Sequence, residues 1–125
     1  MEKILIVDDN PMNIDVFKEA LGHAWDIHVA TSFTEAFKAL ETQNVKLIVL
    51  DVILKEGRAF DFIAKLSELD TRGKVPIVFL ASMEERHEMH RAMRLGGVDY
   101  IFKPLDIQEI QLTLRNQMKL IDDLD

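Results

Sequence analysis

The 125-residue chain predicts an α/β fold: a three-layer (βα)5 domain built on a doubly wound parallel sheet. Three observations predict it. Five short β-like runs alternate strictly with stretches whose apolar residues recur at helical spacing. The clearest runs are continuously aliphatic, which suits strands buried on both faces of a parallel sheet. No internal linker, repeat or shift of composition divides the chain, so residues 1–125 read as one domain. Parallel strands joined through helices cross over right-handedly, and this spreads the helices over both faces.

Taken in order, Lys3-Ile4-Leu5-Ile6-Val7 is the first strand. Asp8-Asp9-Asn10-Pro11 ends it, with Asn10 suited to an N-cap and Pro11 to the first helical position. Ile14, Phe17 and Leu21 mark the inner face of the first helix, and Gly22 stops it. Ile27-His28-Val29-Ala30 is a weakly marked second strand. Ser32 with Glu35 forms a capping box for a helix that carries Ala36, Phe37 and Leu40 inward. Leu47-Ile48-Val49-Leu50 is the third strand, ending in Asp51. Phe62, Ile63, Leu66 and Leu69 mark the third helix, closed by the loop Thr71-Arg72-Gly73-Lys74. Pro76-Ile77-Val78-Phe79-Leu80-Ala81 is the fourth strand. The helix after it turns Met89, Ala92 and Met93 inward and stops at Gly96-Gly97. The last strand, Tyr100-Ile101-Phe102, runs into Lys103-Pro104, and Asp106 with Glu109 makes a capping pattern for the terminal helix.

Composition narrows the function classes. Forty-eight per cent hydrophobic and 30% charged residues describe a globular core rather than a disordered or collagenous chain. No cysteine is present, so disulfides, zinc knuckles and thiol nucleophiles are excluded, in keeping with a reducing cytoplasm. No apolar run approaches the roughly 18 residues of a membrane span, and the N-terminus lacks a secretory pattern. Fifteen Lys and Arg against 22 Asp and Glu give a net charge of -7, which argues against direct nucleic-acid binding by this domain.

In an open parallel sheet, ligands bind beyond the carboxyl ends of the strands. Those ends carry Asp8 and Asp9, Asp51, Ala81 and Ser82, and Lys103. Three carboxylates are expected to converge on one cleft with a single ammonium. Like charges so close resist ionising unless a cation joins them, and an all-oxygen site with room for water suits Mg²⁺. Helix capping explains one such Asp, but not acids at two strand ends with a Lys-Pro at a third. The same acids would repel the phosphate of a flavin mononucleotide or P-loop site, and no G-x-G-x-x-G is present. His87-Glu88-Met89-His90 is one residue short of H-E-x-x-H, so its two histidines would not share a metal.

These residues resemble a known family. Asp8-Asp9-Asn10, Asp51 and Tyr100-Ile101-Phe102-Lys103-Pro104, at these spacings, are similar to the receiver domain of two-component response regulators, the CheY-like superfamily. The likeness covers residues 1 to about 120. It implies a flavodoxin-like sheet of strand order 2-1-3-4-5. It also implies that Asp51 accepts a phosphoryl group from a histidine kinase or phosphotransfer protein. Asp9 would bind Mg²⁺ directly and Asp8 largely through water, with Asp51 and the Ile53 backbone carbonyl completing the protein's ligands. Lys103 would pair with the phosphoryl oxygens, and Lys103-Pro104 matches the family's cis peptide bond. Tyr100 matches its aromatic switch residue. Such chemistry needs positioning and charge neutralisation more than covalent help. The transfer and later loss of phosphate would be self-catalysed, with no turnover of an external substrate, so the chain is not expected to be an enzyme in its own right.

Three departures carry weight. Ala81 stands where the family places Thr or Ser, and Ser82 one residue later faces the other way along a strand. The turn after the acceptor reads Lys55-Glu56 and Arg58-Ala59 instead of Pro-Gly and Asp-Gly. Ile53 and Met83, at the positions bordering the path of hydrolytic water, are both apolar. The rival reading is a pseudo-receiver, the same fold used for interaction or dimerisation with phosphorylation lost or decoupled through Ala81. An aspartyl-phosphate hydrolase would place Asp-x-Asp after its first strand, which Asp8-Asp9-Asn10-Pro11 does not match.

Two further expectations concern surfaces. Arg86, His90 and Arg94, with His87 and Arg91, form a basic stripe on the fourth helix, a face the family uses for dimers and output partners. The terminal helix carries Ile107, Ile110, Leu114, Ile121 and Leu124 on alternating steps of three and four, broken at Gln117. About 12–15 residues suffice for a globular helix of this kind. Ile121 and Leu124 are therefore expected to overhang the sheet as the start of a stalk in a longer protein.

Overall fold

A computed structural model of the chain describes residues 1–69 and 75–124, the side chains of Leu69 and Leu124 excepted. The loop expected at Thr71-Arg72-Gly73-Lys74 and the inward roles of Leu69 and Leu124 lie outside the described residues. The main strands are β1 (Lys3–Val7), β2 (Asp26–Ala30), β3 (Val45–Asp51), β6 (Ile77–Ala81) and β7 (Asp99–Phe102). A two-stranded antiparallel ribbon, β4 (Ile53–Leu54) and β5 (Gly57–Arg58), lies between them in sequence. The helices are α1 (Pro11–Leu21), α2 (Phe33–Thr42), α3 (Ala59–Leu69), α4 (Arg86–Arg94) and α5 (Ile107–Leu124), with a 3₁₀ turn at Met83–Glu85. The five main strands are parallel in the order β2-β1-β3-β6-β7. With the ribbon set aside this is the expected 2-1-3-4-5.

The sheet is buried on both faces, and its side chains alternate between two cores. Leu5, Val7, Ile48, Leu50 and Phe79 pack with Ala36, Phe62 and Met89 under α2, α3 and α4. Ile4, Ile6, Leu47, Val49 and Leu80 pack with Phe17, Leu21, Ile110 and Leu114 under α1 and α5. Phe62 stacks on Phe37 with ring centroids 4.9 Å apart. No helix among the described residues is long and apolar enough to cross a membrane.

The local signals mostly act as read. The Asn10 side chain accepts the Met12 N–H at 2.9 Å, with Pro11 at the first helical position. Ser32 accepts the Glu35 N–H at 3.2 Å, while the Glu35 carboxylate reaches the Thr31 N–H, one residue before the cap. Gly96 has φ +131°, a region that favours glycine. At Gly97 a Cβ would stand 2.2 Å from Phe79 Cε2, so only a bare backbone fits.

Four boundaries shift. β2 starts at Asp26, β3 at Val45 and β7 at Asp99, each earlier than the apolar runs suggested. β6 starts at Ile77 because Pro76 has no N–H to donate, although its carbonyl accepts the Ile48 N–H at 2.9 Å.

The expected overhang of the terminal helix is corrected at Ile121, while the side chain of Leu124 lies outside the described residues. α5 runs 18 residues, and Ile121 packs with Ile107 against the α1–α5 core instead of extending past it. Met118, not position 117, continues the buried row after Ile110 and Leu114. A straight helix of 3.6 residues per turn takes two steps of four there, which keeps the row on the sheet. Gln117 instead donates to Asp99 Oδ2 at 3.2 Å.

Candidate functional site

The register of the sheet brings the functional residues together. Val7 of β1 lies beside Leu50 of β3, so Asp8 and Asp51, the next residues, leave adjacent strand ends. Ala81 lies beside Phe102, which delivers Lys103 to the same end. Asp8 and Asp51 are 1% and 3% exposed, the two buried charged residues of the described chain. Two carboxylates in such a place need specific partners.

Each has them. Asp51 Oδ2 accepts from Lys103 Nζ at 2.7 Å, and Asp51 Oδ1 accepts from the Ile53 N–H at 3.0 Å. Asp8 Oδ1 accepts from the Asn10 N–H at 2.9 Å, and Asp8 Oδ2 from Asn13 Nδ2 at 3.0 Å. Asp9 is half-buried, and its Oδ2 accepts from the Lys55 N–H in the ribbon turn at 2.9 Å. The peptide bond Lys103-Pro104 is cis, as the resemblance implied.

Burial sets the electrostatics. It raises the Asp51 carboxyl to about 6, against the lowering pull of the Lys103 hydrogen bond and the Ile53 N–H. Asp8 is also raised, by burial first, although Asn10 and Asn13 oppose it. Burial works against the charge of Lys103, yet its hydrogen bond to Asp51 and the attraction of Asp51 and Glu85 hold its pKa above the ordinary lysine value. Asp51 is thus a carboxylate short of positive charge, with one ammonium fixed on it.

The three carboxylates of the cleft lie within electrostatic reach: Asp8 acts on Asp51, and Asp9 on Asp8. Among the described residues, no three acids or histidines form a group placed to hold a metal. Asp9 bonds the ribbon backbone, while Asp8 and Asp51 keep their own donors. The donor set still fits a hard cation. Asp8, Asp9, Asp51 and the Ile53 carbonyl would offer it oxygen atoms only, and each hydrogen-bonded carboxylate oxygen keeps a second lone pair.

The remaining predicted residues sit around this cluster. Ala81, at the end of β6, is fully buried, and its carbonyl accepts the Lys103 N–H at 2.8 Å. Its methyl belongs to the core under α4 with Met89 and Ala92. Ser82 opens the 3₁₀ turn, and its N–H donates to Glu85 Oε1 at 2.9 Å. Ile53 and Met83 are 39% and 51% exposed. Tyr100, on the edge strand β7, is 42% exposed, its ring edge-on to Phe102 at 5.3 Å. Of the basic stripe, Arg86, His87, His90, Arg91 and Arg94 are all exposed, and Arg91 lies 4.3 Å over the Phe60 ring.

Sequence reasoning missed Asn13. It follows the cap Asn10 by three residues, on the helical face that looks back to the strand end, and that spacing was the available signal. It also missed the ribbon, whose Lys55 backbone holds Asp9.

A family described as the response regulator receiver domain matches residues 4–115. The chain belongs to that family, the receiver domains of response regulators in two-component systems. It is 31% identical over 113 residues to the probable transcriptional regulatory protein TcrX of Mycobacterium tuberculosis, covering 90% of this chain and 47% of that protein. A probable cyclic di-GMP phosphodiesterase of Vibrio cholerae is 31% identical over 104 residues, 83% of this chain and 24% of its own length. The chain thus spans about half or less of these curated relatives. A CheY-like receiver domain protein from Methanospirillum hungatei superposes over 100% of this chain and 99% of its own with a TM-score of 0.87 at 18% identity, a likeness of fold. A two-component response regulator from Clostridium difficile covers 97% and 95% of the two chains, with a TM-score of 0.79 at 29% identity.

Proposed function

We propose that Asp51 is the phosphoacceptor of this receiver domain. The observation that carries the reading is a buried carboxylate, 3% exposed, fixed by Lys103 Nζ at 2.7 Å and by the Ile53 N–H at 3.0 Å. A carboxylate oxygen of Asp51 attacks the phosphorus of a phosphohistidine on a histidine kinase or phosphotransfer protein. The P–O bond forms as the P–N bond breaks, and the imidazole leaves with the bonding pair. Lys103 stays beside the oxygens as charge gathers on them. Asp9, Asp51 and the Ile53 carbonyl, with Asp8, would hold Mg²⁺, which would supply further neutralisation of that charge. Later hydrolysis returns Asp51, and the exposed apolar Ile53 and Met83 give the attacking water nothing to orient it. The domain turns over no external substrate.

A second reading is favoured by Ala81, whose methyl cannot donate to a phosphoryl oxygen. A pseudo-receiver would keep the fold and lose or decouple the chemistry. In either case a homodimer through the α4 and α5 face is supported by the exposed Leu95, Val98, Tyr100 and Leu112. The deciding experiment incubates the protein with Mg²⁺ and acetyl phosphate and follows intact mass. Gain of one phosphoryl group, absent in Asp51→Asn, supports the phosphoacceptor. No gain, with Mg²⁺ binding retained, supports the pseudo-receiver.

A further inference from the structure

The β4–β5 ribbon makes connections that phosphoryl transfer does not require. Its base is fixed at the cleft, where the Ile53 N–H donates to Asp51 Oδ1 at 3.0 Å. Its turn touches the cleft again, through the Lys55 N–H on Asp9 Oδ2 at 2.9 Å. The same turn is anchored on α2, where the Glu56 carboxylate accepts the Phe33 N–H. Gly57 lies close to that helix start: a Cβ there would stand 3.1 Å from Phe33 Cε2. The returning strand is fixed on α4, where Arg58 Nη1 donates to Glu88 Oε1 at 2.8 Å. Ile53 pairs with Arg58 and Leu54 with Gly57, and the Ala59 N–H closes the base on the Val52 carbonyl at 2.8 Å.

Six residues therefore form one small body whose base pair bonds the Asp51 carboxylate from one strand, through Ile53, and the side of α4 from the other, through Arg58. The path avoids position 81 altogether. We propose that this ribbon couples the state of the Asp51 cleft to helix α4 through the Arg58–Glu88 pair, doing the work of the hydroxyl that Ala81 lacks. The proposal rests on the reading of Asp51 as phosphoacceptor.

The physical argument runs through shared acceptors. Asp51 Oδ1 and Asp9 Oδ2 each hold a ribbon N–H. A phosphoryl-like group on Asp51 adds oxygens and negative charge there, so both N–H bonds are redistributed. A hydrogen-bonded pair of strands clamped at base, turn and far strand responds as a unit. Arg58 then pulls on Glu88, which precedes Met89, a side chain 1% exposed in the core under α4. The Arg58 and Glu88 side chains are 58% and 24% exposed, so the coupling is modest. Solvated ion pairs of this kind transmit at most about fivefold in an equilibrium constant.

The test is amide NMR on the whole chain with Mg²⁺ and beryllofluoride as the probe, in wild type, Arg58→Ala, Glu88→Gln and the charge-reversed pair R58E/E88R. The expected result is shifts at 8–10, 51–53 and 103 in all four proteins. Shifts at 86–94 should appear in wild type, lose most of their size in each single variant and return in the reversed pair. The return separates a coupling role from mere loss of a surface charge. Full shifts at 86–94 in both single variants, or none in wild type while the cleft responds, overturn the proposal alone. No response even at 8–10, 51–53 and 103 overturns the phosphoacceptor reading and this proposal with it.

Discussion

Replacing Asp51 with Asn should stabilise the metal-free protein at pH 8 and do so far less at pH 4. Burial raises the Asp51 carboxyl from 3.8 to about 6, more than the Lys103 hydrogen bond and the Ile53 N–H pull it down. An acid whose pKa rises on folding contributes stability that is complete below its unfolded value and is lost as pH climbs through its folded value. The loss therefore falls between about pH 4 and pH 6. A gap of about two pH units is worth about 3 kcal/mol. Asn does not titrate, so the variant escapes this loss. The pull of Lys103 on the Asp51 charge is already contained in the value of about 6, so the lost ion pair adds no further pH dependence. The assay is urea unfolding in a chelator at both pH values, read by the single tryptophan, Trp25, which packs against the α1–α5 core. Asp8 is present in both proteins and largely cancels in the comparison. A stability difference between the two proteins that is the same at pH 4 and pH 8 refutes the reasoning.

Mg²⁺ should raise the melting temperature of wild type by mass action, and Asp9→Ala should abolish most of that rise; equal stabilisation of the variant removes Asp9 from the site. Ile53→Asn combined with Met83→Gln should speed loss of phosphate from Asp51, because polar groups then stand where water approaches. An unchanged decay rate takes both side chains out of the mechanism. Ala81→Thr should enlarge the beryllofluoride response of α4, since a charge-assisted hydrogen bond contributes about 1.5–3 kcal/mol. The added atoms enter a fully buried position and should cost about 1–3 kcal/mol of stability, so Ala81→Ser serves as the smaller change. If neither variant adds to the response, coupling does not pass through position 81.

The strand ends were legible because each apolar run stops on a charged residue: Val7 before Asp8, Leu50 before Asp51, Phe102 before Lys103. A buried strand must expose its polar successor at the sheet's end, and the register then decides which successors meet. The ribbon was not legible, for two physical reasons. Two residues per strand are too few to show an alternation, and the bond that holds Asp9 comes from a backbone N–H, which nearly every residue owns. Met118 was overlooked because a fixed three-and-four rhythm points to Gln117, whereas a real helix takes two fours in a row when its axis follows the sheet.

The two cores of this domain meet only through hydrogen-bonded backbone. Leu5 and Val7 serve one, Ile4 and Ile6 the other. Any sequence supplies the same N–H and C=O groups, so side chains on one side of the sheet impose little on those across it. Inheritance can exploit such a partition. A lineage can rewrite α1 and α5 while the ribbon and α4 keep their seating. The reverse revision is open as well, with the cluster of Asp8, Asp51 and Lys103 held at the seam that both halves share.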